Sequence, residues 1–271
     1  MAWVLWWIDA VLAVSVCYFV PFIIMHVHDS KLQAMTAVWL LPIAPPVVAS
    51  AAGGVIAEAF ATSNQKYALW TLITSYVLWG TAIPLSMTCL VLYFHRLTMH
   101  KLPPREVIVS SFLPVAPLGE GAYAILQFGK VAAMLFPETK TLANFRGGSN
   151  IGNALYTLGW LVCLVMWAYA LAWLFFALAS ISSYRKFPFN IGWWGFTFPL
   201  GVWASATLSL GKEMPSSFFS YLGTAISCIV ALLWVMLVGM TFKHALSGRL
   251  FVAPDHDVWK LKNGPSLTEE A

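Results

Sequence analysis

Apolar residues in this chain gather into long runs, and most of the charged residues lie near the ends of those runs or in the short stretches between them. A transmembrane helix needs about 20 mostly apolar residues. Seven runs meet that length, at roughly 3–26, 36–58, 67–95, 105–134, 151–181, 189–211 and 216–243, with each boundary placed to about four residues. The pattern predicts an all-α, polytopic membrane protein. Its single domain covers 1–243, and a polar tail covers 244–271.

Composition sharpens this picture. Of 271 residues, 60% are hydrophobic and only 10% are charged, against about a quarter charged in a soluble domain. The net charge of +4 is scattered between apolar runs and forms no patch for nucleic acid. Cys17, Cys89, Cys163 and Cys228 are single and widely spaced inside apolar runs, which suggests packing and neither a disulfide framework nor a metal site. His26, His28, His95, His100 and His244 lie near span ends without clustering. No cofactor is expected. The opening "MAWVLWWIDAVLAVSVCYFVPFIIMH" lacks a basic n-region and a small-residue cleavage motif, so it reads as a retained span.

Lysine and arginine set the orientation. With the first span running inward, the inner side holds Lys31, Arg96, Lys101, Arg105, Arg185, Lys186, Lys243, Arg249, Lys260 and Lys262. The outer side holds Lys66, Lys130, Lys140, Arg146 and Lys212. The excess belongs on the cytoplasmic side, which predicts an external N-terminus and a cytoplasmic C-terminus. A very short external N-terminus without a signal raises the expectation that an odd number of helices precedes residue 1.

Every second span carries a related motif. "WLLPIAPPVVASAAGG" contains Pro42, Pro45 and Pro46; "SFLPVAPLGEGAYAILQFG" contains Pro114 and Pro117; "WWGFTFPLG" contains Pro199. The motif returns at about the length of one helical hairpin, as a hairpin repeat would. A proline inside a helix removes a donor and clashes with the carbonyl one turn back. Lipid cannot satisfy the freed groups, so broken helices belong against protein or a water-filled cavity. Three of them around one axis could line a narrow conduit; alternatively, each proline only bends its helix. The candidate breaks and lining positions are Pro42, Pro45, Pro114, Pro117, Gly119, Gly121, Thr197 and Pro199. The small residues of "VVASAAGG" fit either close helix packing or a narrow lining.

Three further residues carry candidate chemistry. Phe198 and Phe196 flank the break in the sixth span, where a ring could plug a conduit or simply face lipid or neighbours. Glu120 sits mid-span between Gly119 and Gly121, where a carboxylate is expensive and marks a functional position by default. It could relay a proton, pair with a base or sit in water at the break; a hydrogen-bonded structural role is the alternative. Asp9 reads as a packing or interface contact, and Lys130 as a residue that snorkels to the outer surface.

"WVLWWIDAVLAV", "WLLPIAPPVVASAAGG", "FLPVAPLGEGAYAIL" and "GWWGFTFPLG", in this order and spacing, resemble the tellurite-resistance/dicarboxylate transporter family. That family includes slow anion channels, fungal sulfite efflux pumps and malic acid transporters, and the resemblance covers the chain to about Lys243. It implies ten helices in five hairpins around a quasi-five-fold pore, commonly in a homotrimer. It also implies that these seven spans are the last seven of ten, in an N-terminally truncated chain. The pore gate would fall in "GFTFPLG", at Phe198 with Phe196 second. Substrates would be small inorganic or dicarboxylate anions, crossing the plasma membrane. "WWGFTFPLG" looks more like sulfite pumps, which favours sulfite efflux; "LPIAPP" looks more like malic acid transporters. Glu120 departs from the glutamine that sulfite pumps tend to carry there.

A seven-span receptor fits the helix count, but "YFHRLTMH" at the end of the third span is unlike the receptor motif, and the proline repeat has no reason there. A membrane enzyme would cluster Asp, His or Cys, whereas Glu120 stands nearly alone, so no enzyme activity is expected.

Overall fold

The computed structural model describes residues 1–27, 32–144, 150–184 and 188–246. Among the described residues seven α-helices follow one another: α1 Ala2–Val27, α2 Ala44–Phe60, α3 Gln65–His100, α4 Val115–Thr139, α5 Ile151–Ser182, α6 Thr197–Glu213 and α7 Ser217–Leu246. There is no strand among the described residues. Lys31, Arg146, Arg185, Lys186, Arg249, Lys260 and Lys262, which enter the charge count, lie outside the described residues, as does the expected tail beyond 246.

Four helices match the predicted runs closely: α1, α3, α5 and α7. The other three runs are divided. A 3-10 segment, Ala37–Leu40, precedes α2; another, Arg105–Phe112, precedes α4; a third, Ile191–Phe196, precedes α6. The prolines explain the division in a way that differs from the expected mid-helix clash. Pro45 and Pro46 stand in the first turn of α2, Pro117 in the first turn of α4, and Pro199 in the first turn of α6. The first four N–H groups of a helix have no intrahelical acceptor, so proline there sacrifices nothing and its φ suits the helix. These prolines therefore start the α halves, and the chain enters each one through a tighter 3-10 turn. Pro42 and Pro114 lie in the intervening turns.

Helix α4 is the centre of the molecule. Its membrane-length segment is 83% buried, against 11% for α7 and 17% for α1. It packs on α2, α3, α5 and α6, and α1 and α7 lie outermost. Glycines set the close approaches. A Cβ on Gly129 would lie 2.7 Å from the Tyr156 Cα, and one on Gly159 would lie 2.6 Å from the Ile125 carbonyl, so α4 and α5 touch through backbone. Tryptophan N–H groups tie the helices laterally. Trp6 donates to the Ala49 carbonyl at 2.8 Å, Trp79 to the Gly121 carbonyl at 2.9 Å and Trp167 to Thr207 Oγ1 at 2.8 Å. Such bonds between membrane helices average about 0.6 kcal/mol each.

Candidate conduit lining on α2, α4 and α6

The 3-10 segments meet at one end of the molecule. Asn190 caps Ile191–Phe196 by accepting from the Gly192 N–H at 2.9 Å, and its Nδ2 donates to the Glu106 carbonyl at 2.8 Å. Phe112 and Phe196, from neighbouring segments, meet edge to face with ring centroids 4.9 Å apart. Behind them Arg96, buried at the end of α3, donates to the carbonyls of Gln33 and Lys101. The α halves of α2, α4 and α6 run from this end toward the other.

Aligning the repeats on Pro45, Pro117 and Pro199 gives each helix the same face. On α6 it comprises Phe198, Val202, Ser205, Ser209 and Lys212, spaced as one stripe of an α-helix, and all are exposed or half-buried. The remaining faces of α6 are occupied. Trp203 and Thr207 meet α4 and α5, while Gly201, Leu208 and Gly211 meet α7. On α4 the stripe is Ala116, Glu120, Tyr123, Gln127 and Lys130. Glu120, Tyr123 and Lys130 are half-buried on a helix that is otherwise almost wholly buried, and Gln127 retains 7% exposure. On α2 the corresponding positions are Ala44, Val48, Ala51, Val55 and Glu58, of which Val48, Val55 and Glu58 are exposed.

The stripe separates the candidate residues. Phe198 lies on it, is 42% exposed and heads α6 one residue before Pro199. Phe196 lies off it, half-buried between Phe112 and Trp193, whose ring centroid is 5.8 Å away. Thr197 opens α6, and its hydroxyl donates to the Trp194 carbonyl at 2.9 Å, joining the 3-10 and α halves. Glu120 lies on the stripe in the second turn of α4, and among the described residues nothing forms a hydrogen bond or ion pair with its carboxylate.

Gly119 and Gly121, expected at the lining, are instead buried at packing contacts. A Cβ on Gly119 would lie 2.8 Å from the Trp203 backbone nitrogen, and one on Gly121 2.5 Å from Ile83 Cδ1. The "GG" of α2 behaves alike. Gly53 abuts the Trp6 ring and Ser75, and a Cβ on Gly54 would lie 2.9 Å from the Phe128 ring. Close packing is thus the role of these glycines.

At the far end of the stripe polar side chains join the helices. Gln127 Nε2 donates to Glu58 Oε2 at 2.5 Å, joining α4 to α2. Lys130 is ion-paired with Glu213 of α6 and does not snorkel freely, and the Tyr156 hydroxyl of α5 donates to the same carboxylate. One signal was available: Pro45 to Glu58, Pro117 to Lys130 and Pro199 to Lys212 are equal intervals.

Among the described residues, five helices long and apolar enough to cross a membrane, and three α halves entered through 3-10 turns, define a polytopic helical membrane protein. The chain matches the SLAC1 family, described as voltage-dependent anion channel, over residues 1–242, and it belongs to that family. This agrees with the resemblance carried by the proline motifs. Its relatives include the sulfite efflux pump SSU1 of Arthroderma benhamiae, 49% identical over 250 residues that cover 92% of this chain and 64% of the relative. The sulfite efflux pump SSU1 of Saccharomyces cerevisiae is 25% identical over 303 residues, covering 93% and 63%. The malic acid transport protein of Schizosaccharomyces pombe is 26% identical over 248 residues, covering 88% and 54%. The chain spans less than two thirds of the length of these relatives. No solved structure matches it.

Proposed function

We propose that this chain moves small anions across the plasma membrane, with sulfite as substrate and efflux as direction, along the shared stripe of α2, α4 and α6. The observation that carries this reading is the stripe on α4. A central, buried helix has no packing reason to keep Glu120, Tyr123 and Lys130 partly accessible on one face. Equivalent faces on α2 and α6 make it a property of the repeat. The names of the sulfite-pump relatives support the choice of anion.

Phe198 is the plug in this account. Its ring stands exposed in the first turn of α6, and an apolar ring in a conduit blocks ions by occlusion and dewetting. The α halves of α2, α4 and α6 begin at the same end, so their N-terminal partial charges favour an anion there. Glu120, half-buried in the second turn of α4, faces the path. While ionised it repels anions; protonated, it lets them pass, which would couple transport to protons. The domain spans 1–243, the tail lies in the cytoplasm, and the assembly is a homotrimer. The reading is transport and not catalysis, and it accounts for the proline repeat, as a seven-span receptor does not.

A malate-carrying transporter is the second reading, favoured by "LPIAPP" and by the malic acid relative. Both are tested by flux from liposomes loaded with sulfite or malate. Sulfite release well above malate release supports the proposal. Malate release exceeding sulfite release transfers the assignment, and release of neither by folded protein refutes both.

A further inference from the structure

The far end of the stripe holds a charge arrangement that simple conduction does not require. Glu58, Lys130 and Lys212 occupy the same repeat position on α2, α4 and α6 and close the accessible face of each helix. The Lys130 ammonium pairs with Glu213 Oε1, and the Tyr156 hydroxyl donates to Glu213 Oε2. The side chains of Lys130 and Glu213 are 27% and 15% exposed, so the pair is not sealed inside the protein. Lys212, beside Glu213 in sequence, is exposed.

We propose that Lys130, with Lys212, forms an anion-binding site at this mouth for small oxyanions, and that Glu213 is its built-in competitor. The inference rests on the conduit reading for its purpose, though not for its test. A lysine standing unpaired at a narrow mouth would hold an anion too firmly, and conduction needs sites that release. An internal carboxylate solves this by making binding an exchange: the anion takes Lys130 from Glu213, and Glu213 takes it back. The exchange requires that Glu213 not be stranded, because a carboxylate left partly buried without partners is costly. Tyr156 meets that requirement by holding Oε2 whether or not Lys130 is engaged. The two carboxylate oxygens thus have separate partners, one exchangeable and one fixed.

This predicts opposite signs for two neighbouring substitutions. Glu213→Gln removes the competing charge and tightens sulfite binding by about three- to tenfold, between the worth of an exposed ion pair and a partly desolvated one. Tyr156→Phe removes the fixed partner, leaves Glu213 more dependent on Lys130, and weakens sulfite binding. A tie that only fastens α4, α5 and α6 together would move both variants the same way, or neither.

The experiment is calorimetric titration of sodium sulfite into the purified full chain in detergent, at constant ionic strength, with liposome flux measured in parallel. Lys130→Met should lose binding by at least tenfold and Lys130→Arg should restore most of it. If Lys130→Met does not fold, the signs of Glu213→Gln and Tyr156→Phe decide. Same-sign shifts, no shift in either, or absence of binding in both wild type and Glu213→Gln overturn the site. Flux with an overturned site leaves the conduit standing. Binding that follows the predicted signs without flux sustains the site and removes the conduit.

Discussion

Gly119→Ala perturbs the contact that sets the spacing of α4 and α6, on which the proposed conduit depends. The added methyl would lie 2.8 Å from the Trp203 nitrogen and 2.9 Å from its Cα. Both atoms are backbone, so no rotamer change relieves the clash, and α4 and α6 must separate by roughly 0.6 Å to reach ordinary contact. Overpacking of this kind costs about 1–3 kcal/mol, and a backbone clash belongs at the upper end. Alanine's better helix propensity returns about 1 kcal/mol, leaving a net loss of about 2 kcal/mol. Gly80→Ala on α3 is the matched control, because its Cβ would meet nothing within 4 Å. It should be neutral or more stable by up to about 1 kcal/mol. The two variants should therefore differ by about 2–3 kcal/mol in denaturant titrations of detergent-solubilised protein. Equal stabilities would refute the claim that Gly119 exists to let α6 approach α4.

Phe196→Ala should destabilise the junction by about 1–3 kcal/mol, from the two lost edge-to-face contacts with Phe112 and Trp193, and should not open the proposed conduit; a conducting Phe196→Ala would move the plug. Glu120→Gln should raise sulfite flux at neutral pH by removing a negative charge from the path, and the advantage should vanish at acid pH, where wild-type Glu120 is protonated; equal flux at all pH values would take Glu120 off the path. Trp167→Phe should lose about 1 kcal/mol, read by the same denaturant titration, because Thr207 Oγ1 loses its buried donor.

The helices were legible because lipid demands uninterrupted apolar runs, and α1, α3, α5 and α7 are little else. The divided helices were half legible. "LPIAPP", "LPVAPL" and "TFPLG" marked three breaks, but a string of residues does not show that a proline begins a helix instead of bending one. That depends on where the preceding 3-10 turn ends. The resemblance ranked Phe198 before Phe196, but position beside Pro199 alone did not separate them; two residues differ by about 200° around a helix, and only packing shows which direction is open. Gly119 and Gly121 flank Glu120, yet they turn to α6 and to α3 and α5. Lys130 was read as snorkelling to the outer surface, because its partner Glu213 is distant in sequence and ionic pairing between helices has no local pattern.

The central claim is that the stripe of α2, α4 and α6 is an anion path plugged by the Phe198 ring. Its most direct test is single-channel conductance of wild type, Phe198→Ala and Phe196→Ala in planar bilayers with sulfite on both sides. The account predicts that Phe198→Ala alone conducts well above wild type. Folded Phe198→Ala with wild-type conductance, or an equal rise in Phe196→Ala, would contradict it.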